Sequence, residues 1–436
     1  MTKLLILILI LITLVAFNVF SIENILPKTR ALILVDNSVF PVIKRNLEKY
    51  IDTIRWEFGV ELKVLANDFY AKKPVEIRAI LKHEYETSAI PVVGAIIAGP
   101  IPHAVLSVKG AVADTEKLEK LAAEAERIGD KKKAREYRSK RPTFTPSPYF
   151  YEDFDAVWYD EDNDGVFERF DTNRETNRTE IWTAWWVPPS NNSAEQAKML
   201  NEYLKKLDRY HQNKINGKNG MIFIAGNGNS VEITEAWTVL MNGAMESTGN
   251  KVTYVASRHA QMAEKVLPKH AEEFFAEDLV NPITSKKWQH IHTLTHGDPA
   301  GFYWENAAVT VANLKMSRFG GRGANIITTS GCSNGNFRGR NQGAADYSMS
   351  IANQLIFSDK TITVTYYGAA SPQSTGVFAN FHTELIEALD PDKGSYFAEG
   401  YYNMINSDYS WGTDHYCFRG YDGKILNGDP FARYRK

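Results

Sequence analysis

ALILVD, residues 31–36, is apolar up to its last position, and the pattern then changes period. In FPVIKRNLEKYIDTIRWEFG (40–59) apolar side chains return every three or four positions, the spacing of a helix with one buried face. VELKVLA (60–66) and PVVGAIIAG (91–99) are again short apolar or β-branched runs and predict strands. Strand-like runs alternating with helical spacing predict a mainly parallel sheet flanked by helices, because parallel neighbours need a long crossover between them.

The alternation is interrupted once. Residues 112–141, VADTEKLEKLAAEAERIGDKKKAREYRSKR, are charged and helix-favouring, and predict a solvated helical insertion. Its Lys/Arg cluster is a candidate site of activating cleavage. An acidic, turn-rich segment (147–177) precedes the strand candidate TEIWTAWWVP (179–188). The helix SAEQAKMLNEYLKKLDRYH (193–211) opens with Ser193 as the expected N-cap. INGKNG (215–220) is turn-forming and divides the chain into an N-terminal α/β unit, 22–215, and a second α/β unit, 216–436. Beyond it the alternation resumes. MIFIAG, KVTYVA, WQHIHTLTHG, ANIITTSG and TITVTYYG predict strands; 230–247, 258–278 and 308–317 predict helices, and ILNGDPFARYR closes the unit. No internal sequence repeat is evident.

Length supports two units, since 436 residues exceed the ~250–300 at which one core usually divides. A formal net charge of −2 gives no electrostatic footprint for nucleic acid or an anionic membrane surface. At the N-terminus Lys3 precedes LLILILILITLVAFNVF, 17 residues without a charge. This reads as a signal peptide, residues 1–21, cleaved after Ser21, and places the rest of the chain in a secreted, extracytoplasmic setting. Retained, the same segment would anchor the chain to a membrane.

Two stretches carry the chemistry. IHTLTHGD (291–298) and IITTSGCSNG (326–335) are both apolar or β-branched runs ending in a reactive side chain beside glycine. Ligands bind at the carboxyl ends of strands in an open parallel sheet, so neighbouring strands here would bring His296 and Cys332 to one edge. A nearby imidazole activates a thiol whose ordinary pKa is ~8.5. The Gly297 and Cys332 amides would supply a two-donor oxyanion hole. The residues thus propose cysteine-dependent acyl transfer.

His-Gly at one strand end and a small-residue-flanked cysteine at the next resemble the catalytic pair of gingipain-type cysteine peptidases, relatives of caspases and legumain. PVVGAIIAGPIPHAV is similar to that family's early strand and Gly-x-Ile-Pro turn. TEIWTAWWVPPSNNSAEQAKMLNEYLKKLDRYHQ, TITVTYYGAASPQS, FHTELIEAL, YFAEGYYNMI and LNGDPFARYR resemble later family segments in the family's order, over about residues 30–435. The resemblance implies a caspase-like α/β fold of two adjacent subdomains with mainly parallel sheets flanked by helices. It implies His296 as general base and acid, Cys332 as nucleophile, and cleavage after a basic residue. TAWWVP lacks the family's Gly-Arg, and the family's acidic pocket residue has no counterpart placed by these motifs.

Other readings compete for the same residues. His290, His292 and His296 share strand parity and form a candidate zinc constellation for a hydrolase. Cys332 and Cys417, the two cysteines of the chain, could instead form a disulfide outside the cytoplasm. Finally, DEDNDGVFERFD (160–171) has calcium-loop spacing. Asp160, Asp162 and Asp164 occupy positions 1, 3 and 5, Val166 offers a carbonyl at 7, and Asp171 closes the loop at 12; Glu168 would bind through water. This predicts a structural Ca²⁺ ion. It leaves room for an alternative function, a secreted calcium-dependent binding or structural protein on an inactive peptidase fold.

Overall fold

The computed structural model describes residues 27–99, 101–107, 115–134, 144–171, 178–218, 220–225, 252–256, 280–304, 307–311, 319–329, 331, 333–339, 345–369, 385, 389, 395–406 and 424–435. The signal peptide and the helices expected at 230–247 and 258–278 lie outside these residues.

Among the described residues ten strands form one sheet. In chain order they are β1 (Thr29–Asp36), β2 (Val60–Asn67), β3 (Val92–Ala98), β4 (Trp182–Trp186), β5 (Met221–Ala225), β6 (Val252–Ala256), β7 (Lys287–Leu294), β8 (Gly323–Thr329), β9 (Thr365–Ala369) and β10 (Lys424–Gly428). Across the sheet the order is β6-β5-β7-β8-β9-β10-β4-β3-β1-β2. Every pair is parallel except β9 with β10. That single antiparallel pair reverses direction. The carboxyl ends of β5, β7, β8 and β9 lie along one rim, and those of β1 to β4 along the opposite rim.

The two halves repeat one winding. In each, the first strand is followed outward by the second on one side, and by the third and fourth on the other: β2-β1-β3-β4 and β6-β5-β7-β8. The repeat is topological, with no counterpart in sequence.

β1 shows why its strand is uniformly apolar. Ala31, Ile33 and Val35 enter one buried cluster and Leu32 and Leu34 another, so both faces of the sheet are covered. Helix α1 (Phe40–Phe58) buries Ile43, Leu47, Tyr50 and Ile54 on the first face and ends at Gly59, whose φ is +66°. Helix α2 (Pro74–Thr87) buries Ile77 and Leu81 on the second. Helix α3 (Ser193–His211) packs beside α1 and is capped by Asn192, one residue before the expected cap. The Asn192 side-chain oxygen accepts the Glu195 amide at 3.0 Å, leaving Ser193 as the first helical residue. Helices α4 (Ile351–Phe357) and α5 (Phe397–Asn406) add Ile351, Leu355, Phe397 and Tyr401 to the first-face core.

The charged stretch is helical over Thr115–Arg127, as its composition predicts. The helix expected at 308–317 is not formed at its start. Ala307–Thr310 is the last strand of a meander with His296–Asp298 and Gly301–Trp304, where the ladder of the preceding hairpin outweighs local helical spacing. Among the described residues no helix is long and apolar enough to cross a membrane.

Candidate active site

β7 and β8 are adjacent and parallel, with His290 opposite Ile326, His292 opposite Thr328 and Thr293 opposite Thr329. The chain leaves β7 through buried Thr295 and enters His296–Asp298 directly. It leaves β8 into the turn that contains Gly331, Ser333, Asn334 and Gly335. The segments bearing His296 and Cys332 therefore depart from neighbouring strands at one rim, the adjacency that the sequence pattern required. Gly297, half-buried, pairs with Phe302 across the first hairpin of the meander. Cys332, Cys417 and the His296 side chain lie outside the described residues.

The turn after β8 is locked to β9 and β10 through its backbone. The Gly335 amide donates to the Ala369 carbonyl at 2.9 Å, and Asn427 Nδ2 donates to the Gly335 carbonyl at 2.9 Å. A Cβ on Gly335 would stand 2.3 Å from the Gly368 oxygen, so this contact requires glycine. Ser333 adopts a left-handed conformation with φ +53°, which turns the chain sharply just past position 332.

His290 and His292 lie on one face, as their parity predicts, and both are fully buried. They meet at Thr328, whose Oγ1 is 2.8 Å from His290 Nε2 and 2.7 Å from His292 Nδ1. His290 Nδ1 is 2.7 Å from the Tyr434 hydroxyl, and the His292 ring stacks on Phe223 with centroids 5.4 Å apart. Burial pushes the His290 imidazole down to about 3, so it is neutral at ordinary pH. Both His290 nitrogens and His292 Nδ1 are thus engaged in hydrogen bonds to Thr328 and Tyr434, a supporting role that suits buried imidazoles.

The acidic loop brings together part of the predicted calcium set. Asp160, Asp162, Asp164 and Glu168 each present a carboxylate oxygen, all within 4.8 Å of one another. Backbone amides turn inward as well: Asp164 and Gly165 donate to Asp160, and Val166 donates to Asp164. Asp171 stands apart. Residues 169–171 are extended and pair with 157–159, and Asp171 Oδ2 accepts from the Tyr159 hydroxyl at 2.9 Å, with Arg169 at 3.3 Å. Glu168, at the ninth position, joins the cluster where the loop spacing pointed to Asp171 at the twelfth. The chemistry of the four-carboxylate set fits a hard cation such as Ca²⁺.

Thr293, Thr329, Asn334 and Asn427 are not marked by the motifs that single out His296 and Cys332. The signal available was the polar run TTSGCSN at the end of an otherwise apolar strand, where hydroxyl and amide side chains anchor turns.

No protein-family model matches the chain, and no curated protein matches it in sequence. Solved structures share its fold, among them the following two. The crystal structure of the Arg-specific cysteine proteinase gingipain R aligns with a TM-score of 0.54 at 12% identity, over 94% of this chain and 78% of its own. A structure described as a protease aligns with a TM-score of 0.54 at 10% identity, over 93% of this chain and 78% of its own. At such identities the likeness is one of architecture, and the chain has a gingipain-like, caspase-type α/β fold.

Proposed function

We propose that this protein is a cysteine endopeptidase in which Cys332 is the nucleophile and His296 the general base and acid. The observation that carries this reading is the parallel, in-register pairing of β7 with β8, from whose ends the two residues follow. The proteinase architecture of the neighbouring structures supports it.

In the reaction, His296 takes the thiol proton of Cys332 and the sulfur adds to the scissile carbonyl carbon. The carbonyl electron pair moves to oxygen, where the amides of Gly297 and Cys332 donate to it. Collapse breaks the C–N bond as the His296 proton passes to the leaving amine, and a thioester remains. Water then gives a proton to His296 and adds to the thioester. The thiolate departs and is reprotonated, releasing the acid product.

Exchange of Cys332→Ala or His296→Ala is expected to abolish hydrolysis of a fluorogenic peptide library while leaving the circular dichroism spectrum unchanged. Full activity in either variant would refute the pair. The same library reads the side chain preferred before the cleaved bond, against the Arg specificity of gingipain R. Alkylation without reductant tests the rival disulfide: a free Cys332 thiol is labelled at once.

The reading includes a structural Ca²⁺ ion held by Asp160, Asp162, Asp164 and Glu168, and export directed by residues 1–21. Calcium would neutralise four converging carboxylates that otherwise repel. It would fix the segment that precedes β4.

A further inference from the structure

One hydroxyl ties down both sides of position 332. Thr329 Oγ1 accepts from the Gly331 amide at 2.9 Å and from Asn334 Nδ2 at 3.0 Å. A threonine oxygen has two acceptor positions and one proton. Thr293 Oγ1 on β7 lies 2.9 Å away and shares a hydrogen bond with the same oxygen. Thr293, Thr329 and Asn334 are all buried. The amide preceding residue 332 and the side chain two positions after it thus end on the same oxygen, and that oxygen is bonded to the strand leading to His296.

Two further observations argue against an incidental turn. A Cβ on Gly331 would lie 2.3 Å from Asn334 Nδ2, so the amide group occupies space that any other residue at 331 would need. Among the described residues no hydrogen-bond donor reaches the buried Asn334 Oδ1. An unpaired buried acceptor is costly, and its retention points to a constraint other than stability.

We propose that Thr329 and Asn334 are positioning residues for the nucleophile turn, and that the Thr329–Thr293 bond sets that turn against the histidine strand. The proposal rests on the reading of Cys332 as nucleophile and His296 as its base. Neither Thr329 nor Asn334 needs to touch substrate.

The test uses the full chain carrying Cys417→Ser, so that Cys332 is the one thiol. Peptide hydrolysis gives kcat and KM, and the pH profile of iodoacetamide alkylation reports thiolate formation without substrate. Thr329→Val keeps the shape and removes all three hydrogen bonds. It is expected to lower kcat ~100-fold with KM within about threefold, the scale of a small misplacement of reacting groups. The alkylation midpoint should move towards the ordinary thiol value of ~8.5. Thr329→Ser, which restores the hydroxyl, should recover both. The proposal is overturned if Thr329→Val shifts Tm alone, or if Thr329→Ser is as impaired as Thr329→Val. Should Thr329→Val not fold, Thr293→Val, which spares both bonds inside the turn, carries the test. A fall of roughly tenfold in kcat at unchanged KM is expected, and an unchanged kcat overturns the proposal. Cys332→Ala is assayed in parallel. Activity there overturns the nucleophile reading itself, whereas an inactive Cys332→Ala beside an unaffected Thr329→Val overturns only the positioning role.

Discussion

His211, on α3, is fully enclosed between two carboxylates. Its Nδ1 is 2.6 Å from Glu57 and its Nε2 3.0 Å from Asp429, while Arg435 grips Glu57 through two hydrogen bonds of 2.6 and 3.0 Å. Tyr50 completes the set by donating to Asp429 at 2.6 Å. Burial alone would raise the Glu57 carboxyl, but hydrogen bonds from His211 and Arg435 outweigh it and hold it at about 2. Burial alone would lower His211, but Asp429 and Glu57 outweigh it and raise the imidazole above its ordinary value. The signs fix the window. The Glu57 contribution is complete above about pH 4.5 and is lost as pH falls towards 2; the His211 contribution is complete below about pH 6.5 and is lost as pH rises through its folded value. Urea-unfolding free energy should therefore fall by ~1–3 kcal/mol between about pH 5 and pH 3, and Glu57→Gln should flatten much of that slope. An equally steep acid limb in the variant would show that other carboxylates carry it.

Elements meet through polar pins as well as apolar faces. Lys206 of α3 is buried and donates to the carbonyls of Ile356, Ser358 and Thr363 at 2.6, 2.5 and 3.3 Å, so it caps the C-terminus of α4, the helix that follows the turn after β8. Burial pushes its ammonium group down to about 7. The acidic loop is the element to which the proposed Ca²⁺ ion belongs. Titration calorimetry should show Ca²⁺ binding to the intact protein, with a rise in Tm at millimolar Ca²⁺. Asp162→Asn with Asp164→Asn should weaken binding at least ~10-fold and remove the rise. Asp171→Asn should leave Ca²⁺ affinity nearly unchanged, because that carboxylate is spent on Tyr159 and Arg169. Loss of binding in Asp171→Asn would restore the twelfth position as a ligand.

At the scale of the molecule the halves share a sheet and a core. β10 pairs with β4 through Asn427 and Trp185, and Trp186 Nε1 donates to the Gly428 carbonyl at 2.8 Å. One buried cluster contains Ile33 and Trp186 from the first half with Ile326 and Tyr366 from the second. Neither half can open without exposing surface of the other. Denaturant unfolding followed by tryptophan fluorescence and by far-ultraviolet circular dichroism should give one coincident transition. Two separated transitions would show that the halves unfold independently.

Sequence alone determined the parallel α/β class, most strands of the main sheet, and the pair of strand ends at which reactive residues stand beside glycine. It could do so because periodicity and turn residues act over a few positions, as ALILVD and ITTSGCSNG show. It also singled out Asp160, Asp162 and Asp164, since a short loop fixes its own spacing. Tertiary structure alone decided that β7 lies against β8, that the two halves repeat one winding and face in opposite directions, and that Glu168 rather than Asp171 turns inward. It alone joined Thr293, Thr329 and Asn334 on one hydroxyl. Strand order and register are settled by contacts between residues far apart in the chain, and no local pattern encodes which distant partner fills a given hydrogen bond.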